Sequence, residues 1–311
     1  MKTSYDFGRP LRIGTRRSPL ALWQANRVSD VLLAAGLIPG TEIVEIQTTG
    51  DKVQNRLLSE IGGKGLFSKE IEENLAAGKI DIAVHSMKDV ETELAPGFVI
   101  AAILERADAR DAWISISGMG LDTLPAGARV GTASLRRKAQ VLARRPDLTV
   151  VTFRGNVGTR LNKLAAGEAD ATLLAKAGLD RLEMADCITE VLAPGIMLPA
   201  AAQGAVGIEA RIDDGVLLDA LVQINHTDTS LTVNAERALL AALDGSCRTP
   251  IGAYAILDNT GCITLQALLA SEDGAKTWRT ERHGAIADAD RMSADAGAEL
   301  RAAGDAHLFE D

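Results

Sequence analysis

Aromatic residues are scarce in this chain of 311 residues, where Phe, Tyr and Trp together make up 3%. Hydrophobic residues still account for 47%, so the cores must be built from Ala, Leu, Ile and Val. Charged residues make up 24%, which is ordinary for a globular protein and excludes a largely disordered chain. At ~100–200 residues per domain, the length predicts two or three domains.

Cysteines are few, and long apolar runs are missing. The three cysteines, Cys187, Cys247 and Cys262, are widely spaced and odd in number, which predicts reduced thiols in a cytoplasmic protein. Their spacing along the chain does not suggest a metal site. The charge-poor stretch from Val191 to Ile208 is interrupted by prolines and glycines, so it does not predict a membrane-spanning helix. No apolar run precedes Arg12, and we therefore expect no signal peptide.

Positive charge is in deficit overall but concentrated in one segment. The net charge is −9, yet residues 129–163 contain nine basic residues and one acidic residue, a net +8, which leaves −17 for the rest. An acidic chain is a poor general partner for nucleic acid or anionic membranes. A solvated basic face is the usual interpretation of a charge run. Here the arginines accompany predicted helix starts, which favours a site for anions.

Two short sequences recur in the same order. Residues 12–15 (Arg-Ile-Gly-Thr) return as residues 129–132 (Arg-Val-Gly-Thr), and each is followed by a serine, Ser18 or Ser134, that could cap a helix. A second echo pairs residues 76–81 with 165–170, each typical of a helix end with glycine followed by a strand. These echoes predict a duplicated βαβ lobe. The first predicted helix begins with Ser18 as its cap and Pro19 at its first position, and runs through Trp23 to Gly36. The second is Leu135–Ala143, and the predicted strands are Ile80–His85, Leu148–Phe153 and Ala169–Ala175.

The C-terminal part has a different pattern. From about Thr227, a predicted helix (Ser230–Leu243) gives way to adjacent strands, Ile251–Leu257 and Cys262–Ala270, then a third strand and a final helix, Ala287–Ala303. Strands alternating with helices upstream predict mostly parallel sheets. We therefore expect an α/β fold with two lobes and a small α+β C-terminal domain. The predicted domains are residues 1–104 with 205–222, residues 105–204, and residues 223–311.

Basic and hydroxyl side chains cluster at the predicted helix starts. A helix N-terminus favours carboxylate or phosphate because its N–H groups are free and its dipole end is positive. Arginine adds bidentate carboxylate recognition. Since ligands of open α/β lobes bind outside the carboxyl ends of strands, we expect the clusters to converge on one cleft. The clusters are Arg16 with Ser18; Thr132, Ser134, Arg136 and Arg137; and Arg154 with Arg160.

Three other features are candidates for a functional role. Asp89 follows a predicted strand beside Lys88, and could be a surface ion pair or a catalytic carboxylate. The segment Gly62–Gly65 lacks the Walker A spacing, and could be a hinge or a direct ligand contact. Cys247 lies in a loop beside Arg248 and could be a nucleophile, whereas the other two cysteines lie in apolar-periodic stretches and are predicted core residues.

The motifs taken together resemble the porphobilinogen deaminase (hydroxymethylbilane synthase) family. The resemblance implies two periplasmic-binding-protein-like lobes with mixed, mostly parallel sheets, plus the α+β domain. It implies a monomeric transferase of tetrapyrrole (haem) biosynthesis that needs no metal. The matching segments are residues 12–16, 18–25, 62–67, 81–90, 131–137, 154–161 and 198–209, and the loop around Cys247.

The family's chemistry implies a role for each matching residue. Four porphobilinogen molecules lose ammonia, condense head to tail through azafulvene intermediates onto a dipyrromethane primer, and leave as hydroxymethylbilane after hydrolysis. Asp89 matches the catalytic carboxylate, and Cys247 matches the thioether attachment site of dipyrromethane. The cofactor-binding positions are Lys88, Asp89, Thr132, Ser134, Arg136 and Arg137. The substrate-binding positions are Arg16, Ser18, Gln24, Arg154, Arg160, Arg181 and Gln203.

Two other protein classes predict different sequence features. A non-catalytic anion-binding protein of the periplasmic type would predict a signal peptide and would not need a loop thiol. A nucleic-acid binder would predict several aromatic side chains within residues 129–163, where Phe153 stands alone. Neither expectation fits the sequence.

Overall fold

The computed structural model describes residues 8–52, 68–243, 249–305 and 308. The glycine segment Gly62–Gly65 and Cys247 lie outside the described residues. The described chain divides into two compact units. The first contains residues 8–52, 68–107 and 205–230, and the second contains residues 108–204, 231–243, 249–305 and 308.

The described elements follow the alternation that the sequence predicts. The strands are β1 (Leu11–Arg16), β2 (Thr41–Ile46), β3 (Ile82–Ser86), β4 (Phe98–Ile103), β5 (Asp111–Ser115), β6 (Arg129–Gly131), β7 (Thr149–Val151), β8 (Ala171–Ala175), β9 (Glu190–Leu192), β10 (Val206–Arg211), β11 (Ile251–Leu257), β12 (Cys262–Ala270) and β13 (Thr277–Ala285). The α-helices are α1 (Pro19–Ala34), α2 (Thr49–Lys52), α3 (Lys69–Ala76), α4 (Leu135–Arg144), α5 (Val157–Ala165), α6 (Lys176–Arg181), α7 (Gly215–Leu221), α8 (Thr227–Ala242) and α9 (Ala289–Ala303). Short 3-10 turns cover Met87–Asp89, Ala185–Cys187, Val222–Ile224 and Ile286–Asp288. None of these helices has both the length and the apolar character that crossing a membrane requires.

Two five-stranded sheets, one in each unit, share one topology among the described strands. Their orders are β2-β1-β3-β10-β4 and β7-β6-β8-β5-β9. In each sheet four strands run in the same direction, and the strand in fourth place, β10 or β5, is antiparallel to both neighbours. The echoed tetrapeptides lie in and after the equivalent strands β1 and β6. The prediction of mixed, mostly parallel sheets is confirmed, and the shared order agrees with a duplicated lobe.

Capping explains where the main helices begin and end. Ser18 Oγ accepts from Ala21 N over 3.3 Å, and Pro19 occupies the first helical position, which confirms the predicted start of α1. Gly78 and Gly167 adopt φ of 63° and 74° just after α3 and α5, as predicted for helix-ending glycines. Strands β3 and β8 begin two residues later than predicted. The reason is that N–H groups just beyond each glycine still bond to helix carbonyls, as Lys79 N does to Asn74 O.

Small and branched apolar residues fill the cores. In the first unit, Ile13 of β1, Val28 of α1 and Ile208 of β10 are fully buried in one cluster. In the second unit, Trp113 of β5 anchors another cluster, and its indole N–H donates to Met119 O over 3.0 Å. Full burial of such a side chain contributes about 1.5–3 kcal/mol, so many small contributions replace the missing aromatics.

The C-terminal sheet has the antiparallel order β11-β12-β13. Its first two strands have the predicted bounds, while α8 begins at Thr227 and α9 at Ala289 instead of Ser230 and Ala287. This sheet belongs to the same compact unit as the second lobe. The buried Glu236 joins them, since its carboxylate accepts from Ala202 N over 2.6 Å and from Ala255 N over 2.7 Å. Each of the three predicted domains has its own sheet, and the boundaries between them stay a prediction.

Candidate functional site

A small polar pocket lies at the carboxyl ends of β1 and β3 in the first unit. Its volume is about 70 Å³. Both strands end at the start of α1, so the pocket faces a helix N-terminus. Its lining consists of Arg16, Ser18, Leu20, Ala21, Gln24, Val84, His85, Ser86 and Asp89. Four predicted site residues, Arg16, Ser18, Gln24 and Asp89, are thus brought together.

The pocket wall combines positive charge with fixed hydroxyl and amide groups. Ser18 accepts from the first turn of α1, which leaves its own hydroxyl proton for a ligand. Gln24 is 2% exposed, and its Nε2 lies 2.8 Å from Ser86 Oγ. The helix dipole and the Arg16 guanidinium both favour an anion here.

Asp89 ends the 3-10 turn that follows β3, and its carboxylate is exposed at the pocket. Within the described part of the chain, it makes no hydrogen bond and no ion pair, with Lys88 or any other residue. The interpretation of Asp89 as half of a surface ion pair with Lys88 required that contact. An uncommitted carboxylate beside a basic pocket is instead available to a ligand.

A buried acid–imidazole pair behind the pocket was missed in the sequence. His85 Nε2 lies 2.9 Å from Glu209 Oε2, and the two side chains are 7% and 1% exposed. The second oxygen, Glu209 Oε1, is buried and has no hydrogen-bond partner among the described residues. The sequence did contain a sign of this pair, because Glu209 is a single acidic residue inside the apolar strand β10. Only the pairing of β10 with β3 brings it to His85.

In the second unit, the equivalent helix start contains a buried cluster of charges. Arg136 Nη1 donates to Asp111 Oδ2 over 2.8 Å, and Arg137 Nη2 donates to Asp111 Oδ1 over 2.6 Å. Gln203 Nε2 adds a donor to the same carboxylate at 3.1 Å. Asp111 was not predicted, and it brings Arg136, Arg137 and Gln203 together.

The cluster retains one excess positive charge. Burial alone raises the pKa of Asp111, but the charges of Arg136 and Arg137 and their hydrogen bonds outweigh it and hold that pKa below its usual range. Burial lowers the pKa of Arg136, and Asp111 partly offsets this effect. A guanidinium still stays protonated at neutral pH, so two cations share one anion. Arg136 Nε is buried without a partner in the described structure.

The remaining predicted residues of this unit occupy neighbouring strand ends. Ser134 Oγ accepts from Arg137 N over 3.4 Å, which caps α4, and Thr132 Oγ1 accepts from Ser134 N over 3.2 Å. Arg154 follows β7, and its Nη1 is buried with no partner among the residues described.

Two further arginines bind carbonyl groups. Arg160 Nε donates to Gly155 O over 2.9 Å, and Arg181 Nη2 donates to Gly204 O over 2.7 Å. Burial lowers the pKa of Arg181 to about 10, which leaves the group protonated at neutral pH.

The unpartnered nitrogens provide a test for a carboxylate-bearing cofactor. A buried guanidinium N–H without a partner costs about 1–3 kcal/mol, or more because it is charged. Carboxylates restore such bonds in a bidentate geometry. Arg136 Nε and Arg154 Nη1 therefore fit a ligand with several carboxylates, as dipyrromethane has.

The two lobes share one topology, and each has a serine-capped helix start with arginines at the strand ends. These features define an α/β protein with anion-binding groups in both lobes. Two family models match this chain. "Porphobilinogen deaminase, dipyromethane cofactor binding domain" covers residues 11–219, and "Porphobilinogen deaminase, C-terminal domain" covers residues 230–302. The chain belongs to the porphobilinogen deaminase family. The enzyme class predicted from the sequence, a transferase of tetrapyrrole biosynthesis, and the dipyrromethane cofactor are confirmed.

Curated relatives agree over most of the chain. The chloroplastic porphobilinogen deaminase of Oryza sativa subsp. japonica is 51% identical over 96% of this chain and 86% of the relative. The chloroplastic porphobilinogen deaminase of Pisum sativum is 52% identical over 93% of this chain and 80% of the relative.

Similar solved structures include the BvgS VFT2 domain of Bordetella pertussis, with 15% identity, a TM-score of 0.40, and coverage of 73% of this chain and 90% of that one. A periplasmic sulfonate-binding protein, SsuA, from Methylobacillus flagellatus KT has 15% identity, a TM-score of 0.38, and coverage of 78% and 70%.

Proposed function

We propose that this chain condenses four porphobilinogen molecules head to tail, with loss of ammonia, onto dipyrromethane held through a thioether at Cys247, and releases hydroxymethylbilane by hydrolysis. One observation carries the assignment of the catalytic group. Asp89 is an exposed carboxylate with no partner in the described structure, and it lines a pocket with Arg16 and Ser18.

Asp89 is suited to the charge that the reaction creates. Loss of ammonia from porphobilinogen builds positive charge on the pyrrole ring, and a nearby carboxylate stabilises that charge. The same oxygens accept hydrogen bonds from pyrrole N–H and can hold a proton at the leaving amine. Because Asp89 forms no competing ion pair with any described residue, its carboxylate is available to the ring.

Substrate carboxylates would bind to the helix start and the arginines. Each porphobilinogen carries two carboxylates, and Arg16 with Ser18 offers one anion site at the N-terminus of α1. Gln24 holds Ser86 at the pocket wall and adds a polar contact. In the second unit, Arg154, Arg160, Arg181 and Gln203 are the proposed substrate contacts.

Dipyrromethane would be held by Lys88, Asp89, Thr132, Ser134, Arg136 and Arg137. When bound, it supplies the nucleophilic pyrrole carbon from which the chain grows. Arg136 and Arg137 would receive its carboxylates with the excess charge that Asp111 leaves. Ser134 orients the first turn of α4 toward the same carboxylates.

Two variants of Asp89 test its role. Asp89→Asn removes the charge and retains the size, so single-turnover ammonia release should fall by about 10²–10³ with an unchanged melting temperature. Asp89→Glu keeps the charge but displaces it and should lose less. Glu93→Gln is the matched control, because Glu93 is an exposed acid four residues further on. Turnover of Asp89→Asn within a few-fold of wild type would show that Asp89 is not catalytic.

Intact-protein mass spectrometry tests the attachment site. The protein should be heavier than its sequence by one dipyrromethane, and Cys247→Ala should remove that mass. Cys187→Ala and Cys262→Ala should retain it. An active wild-type enzyme without added mass contradicts covalent attachment.

Location and assembly are also proposals. The scarcity of cysteine supports a cytoplasmic enzyme, whereas the two relatives described above are named chloroplastic. Fractionation of the source cells distinguishes the two locations. We further propose a monomer without nucleic-acid or membrane partners, in keeping with the net charge of −9. Light scattering coupled to gel filtration would measure the mass in solution, and a dimer would refute the monomer.

A further inference from the structure

Three chemically different side chains, none of which has a role assigned above, meet on the C-terminal sheet. Asp258 follows β11, Cys262 opens β12 and His283 lies in β13. Each residue offers one ligand atom: a carboxylate oxygen, the thiol sulfur and a ring nitrogen. These three atoms all lie within 4.8 Å of one another. We propose that Asp258, Cys262 and His283 form a binding site for a divalent transition metal ion of the zinc type.

Strand register explains how residues distant in sequence converge. In the β12–β13 ladder, Cys262 pairs with Ala285 and Thr264 pairs with His283. Side chains two residues apart share a face of a sheet, so His283 is the diagonal neighbour of Cys262 on one face. The turn between β11 and β12 then places Asp258 beside Cys262.

Neighbouring groups hold two of the ligands in place. Asp258 Oδ1 accepts from Thr260 N, Thr260 Oγ1 and Cys262 N over 2.8, 2.7 and 2.9 Å, which fixes the carboxylate and leaves Oδ2 for a metal. His283 Nδ1 lies 3.0 Å from Thr264 Oγ1. Metal-binding histidines commonly have such a hydrogen bond at one nitrogen, because it fixes the ring orientation and the tautomer.

The donor set selects the class of metal. A thiolate does not suit Mg²⁺ or Ca²⁺, whereas sulfur, imidazole and carboxylate donors together suit Zn²⁺ and Co²⁺. Three protein ligands leave a fourth position for water or a small ligand. Cys262 would release its proton to the solvent when the metal–sulfur bond forms. A nucleophilic triad is disfavoured, since His283 Nδ1 contacts Thr264 and not Asp258.

Cobalt titration of the full-length enzyme with its cofactor tests the proposal. We expect one equivalent of Co²⁺ to bind with a thiolate-to-cobalt charge-transfer absorption, and Zn²⁺ to displace it. Cys262→Ser should abolish that absorption, and His283→Ala and Asp258→Asn should weaken binding. Thr264→Val should weaken binding by about 10–100-fold, because it loses only the orienting hydrogen bond.

Two matched variants serve as controls. Cys187→Ser removes the other described thiol. Asp273→Asn alters the acid of the β12–β13 turn, which accepts from Ala275 N and Ser271 Oγ but has no thiol–imidazole partner in the described structure. Both should bind Co²⁺ as the wild type does, and turnover should not change in any variant. Absence of the absorption in the wild type, or its survival in Cys262→Ser, would overturn the proposal.

Discussion

Replacing Asp111 by Asn should destabilise the second unit more than any exposed substitution of the same kind. Asp111 is 0% exposed and accepts from Arg136, Arg137 and Gln203. Asn keeps one acceptor oxygen but presents N–H₂ to a guanidinium donor and removes the charge. Breaking a buried ion pair on one side costs about 3–5 kcal/mol, because the remaining charge is left buried and uncompensated.

This magnitude is large enough to measure in the intact protein. For a unit of this size, each kcal/mol lowers the melting temperature by about 2–4 °C, so we expect a decrease of roughly 6–20 °C. Calorimetry of the full chain at neutral pH is the direct assay. The depressed pKa of Asp111 means that its contribution is complete above the unfolded pKa and is lost as pH falls through the folded pKa.

Asp122→Asn is the matched control. Asp122 also pairs with an arginine through two bonds, to Arg144, but the two side chains are 56% and 40% exposed. Exposed pairs contribute about 0–1 kcal/mol. If Asp111→Asn and Asp122→Asn melted within 1–2 °C of each other, the argument from burial would be wrong.

Three further predictions concern other parts of the chain. Gly131→Ala should lower the free energy of unfolding, measured by chemical denaturation, by about 1–3 kcal/mol, because a Cβ there would lie 2.4–2.7 Å from the Phe153 ring. Gly195→Ala is the control and should leave that free energy unchanged, because a Cβ there would meet no atom within 4 Å. Equal losses in the two variants would contradict the packing argument. Burial raises the pKa of Asp81, but hydrogen bonds from Arg9 and Arg12 outweigh it and hold that pKa below its usual range. The difference in melting temperature between wild type and Asp81→Asn should therefore narrow as pH falls below about 4, and a constant difference would exclude this ionisation as the cause. Variants of Arg136 or Arg137 should yield protein without the primer mass, whereas variants of Arg16 or Arg160 should keep the primer and stall during elongation. Ion-exchange separation of the enzyme-bound intermediates would show this difference. If all four variants stalled at the same intermediate, the arginines would not have separate roles.

Local chemistry was sufficient to predict most of the elements and to select Arg16, Ser18, Gln24 and Asp89, which the structure brings to one pocket. Two adjacent strand-like segments on either side of a turn that contains Asn259 and Gly261 predicted β11 and β12 to the residue. Serine followed by an apolar-periodic run located both helix starts, and with them Arg16, Ser18 and Ser134. The starts of β3 and β8 were predicted less accurately, because the last helical carbonyls accept hydrogen bonds from the chain beyond Gly78 and Gly167.

Long-range pairing decided what local pattern could not. Asp111 and Glu209 appear in sequence as single acids within apolar strands, and only the packed sheets reveal their partners Arg136 and His85. The prediction that Cys187 and Cys262 are core residues was wrong, because both are only half-buried.

The chain itself determined its class, its duplicated lobes and the excess of arginine at strand ends, because capping, periodicity and charge are local properties. Tertiary structure alone decided which charges are compensated. Asp111 forms ion pairs with two arginines, Asp89 forms none with the residues that the structure describes, and Cys262 lies beside Asp258 and His283. Such relations depend on register between strands far apart in sequence, where a shift of one residue turns every side chain to the opposite face.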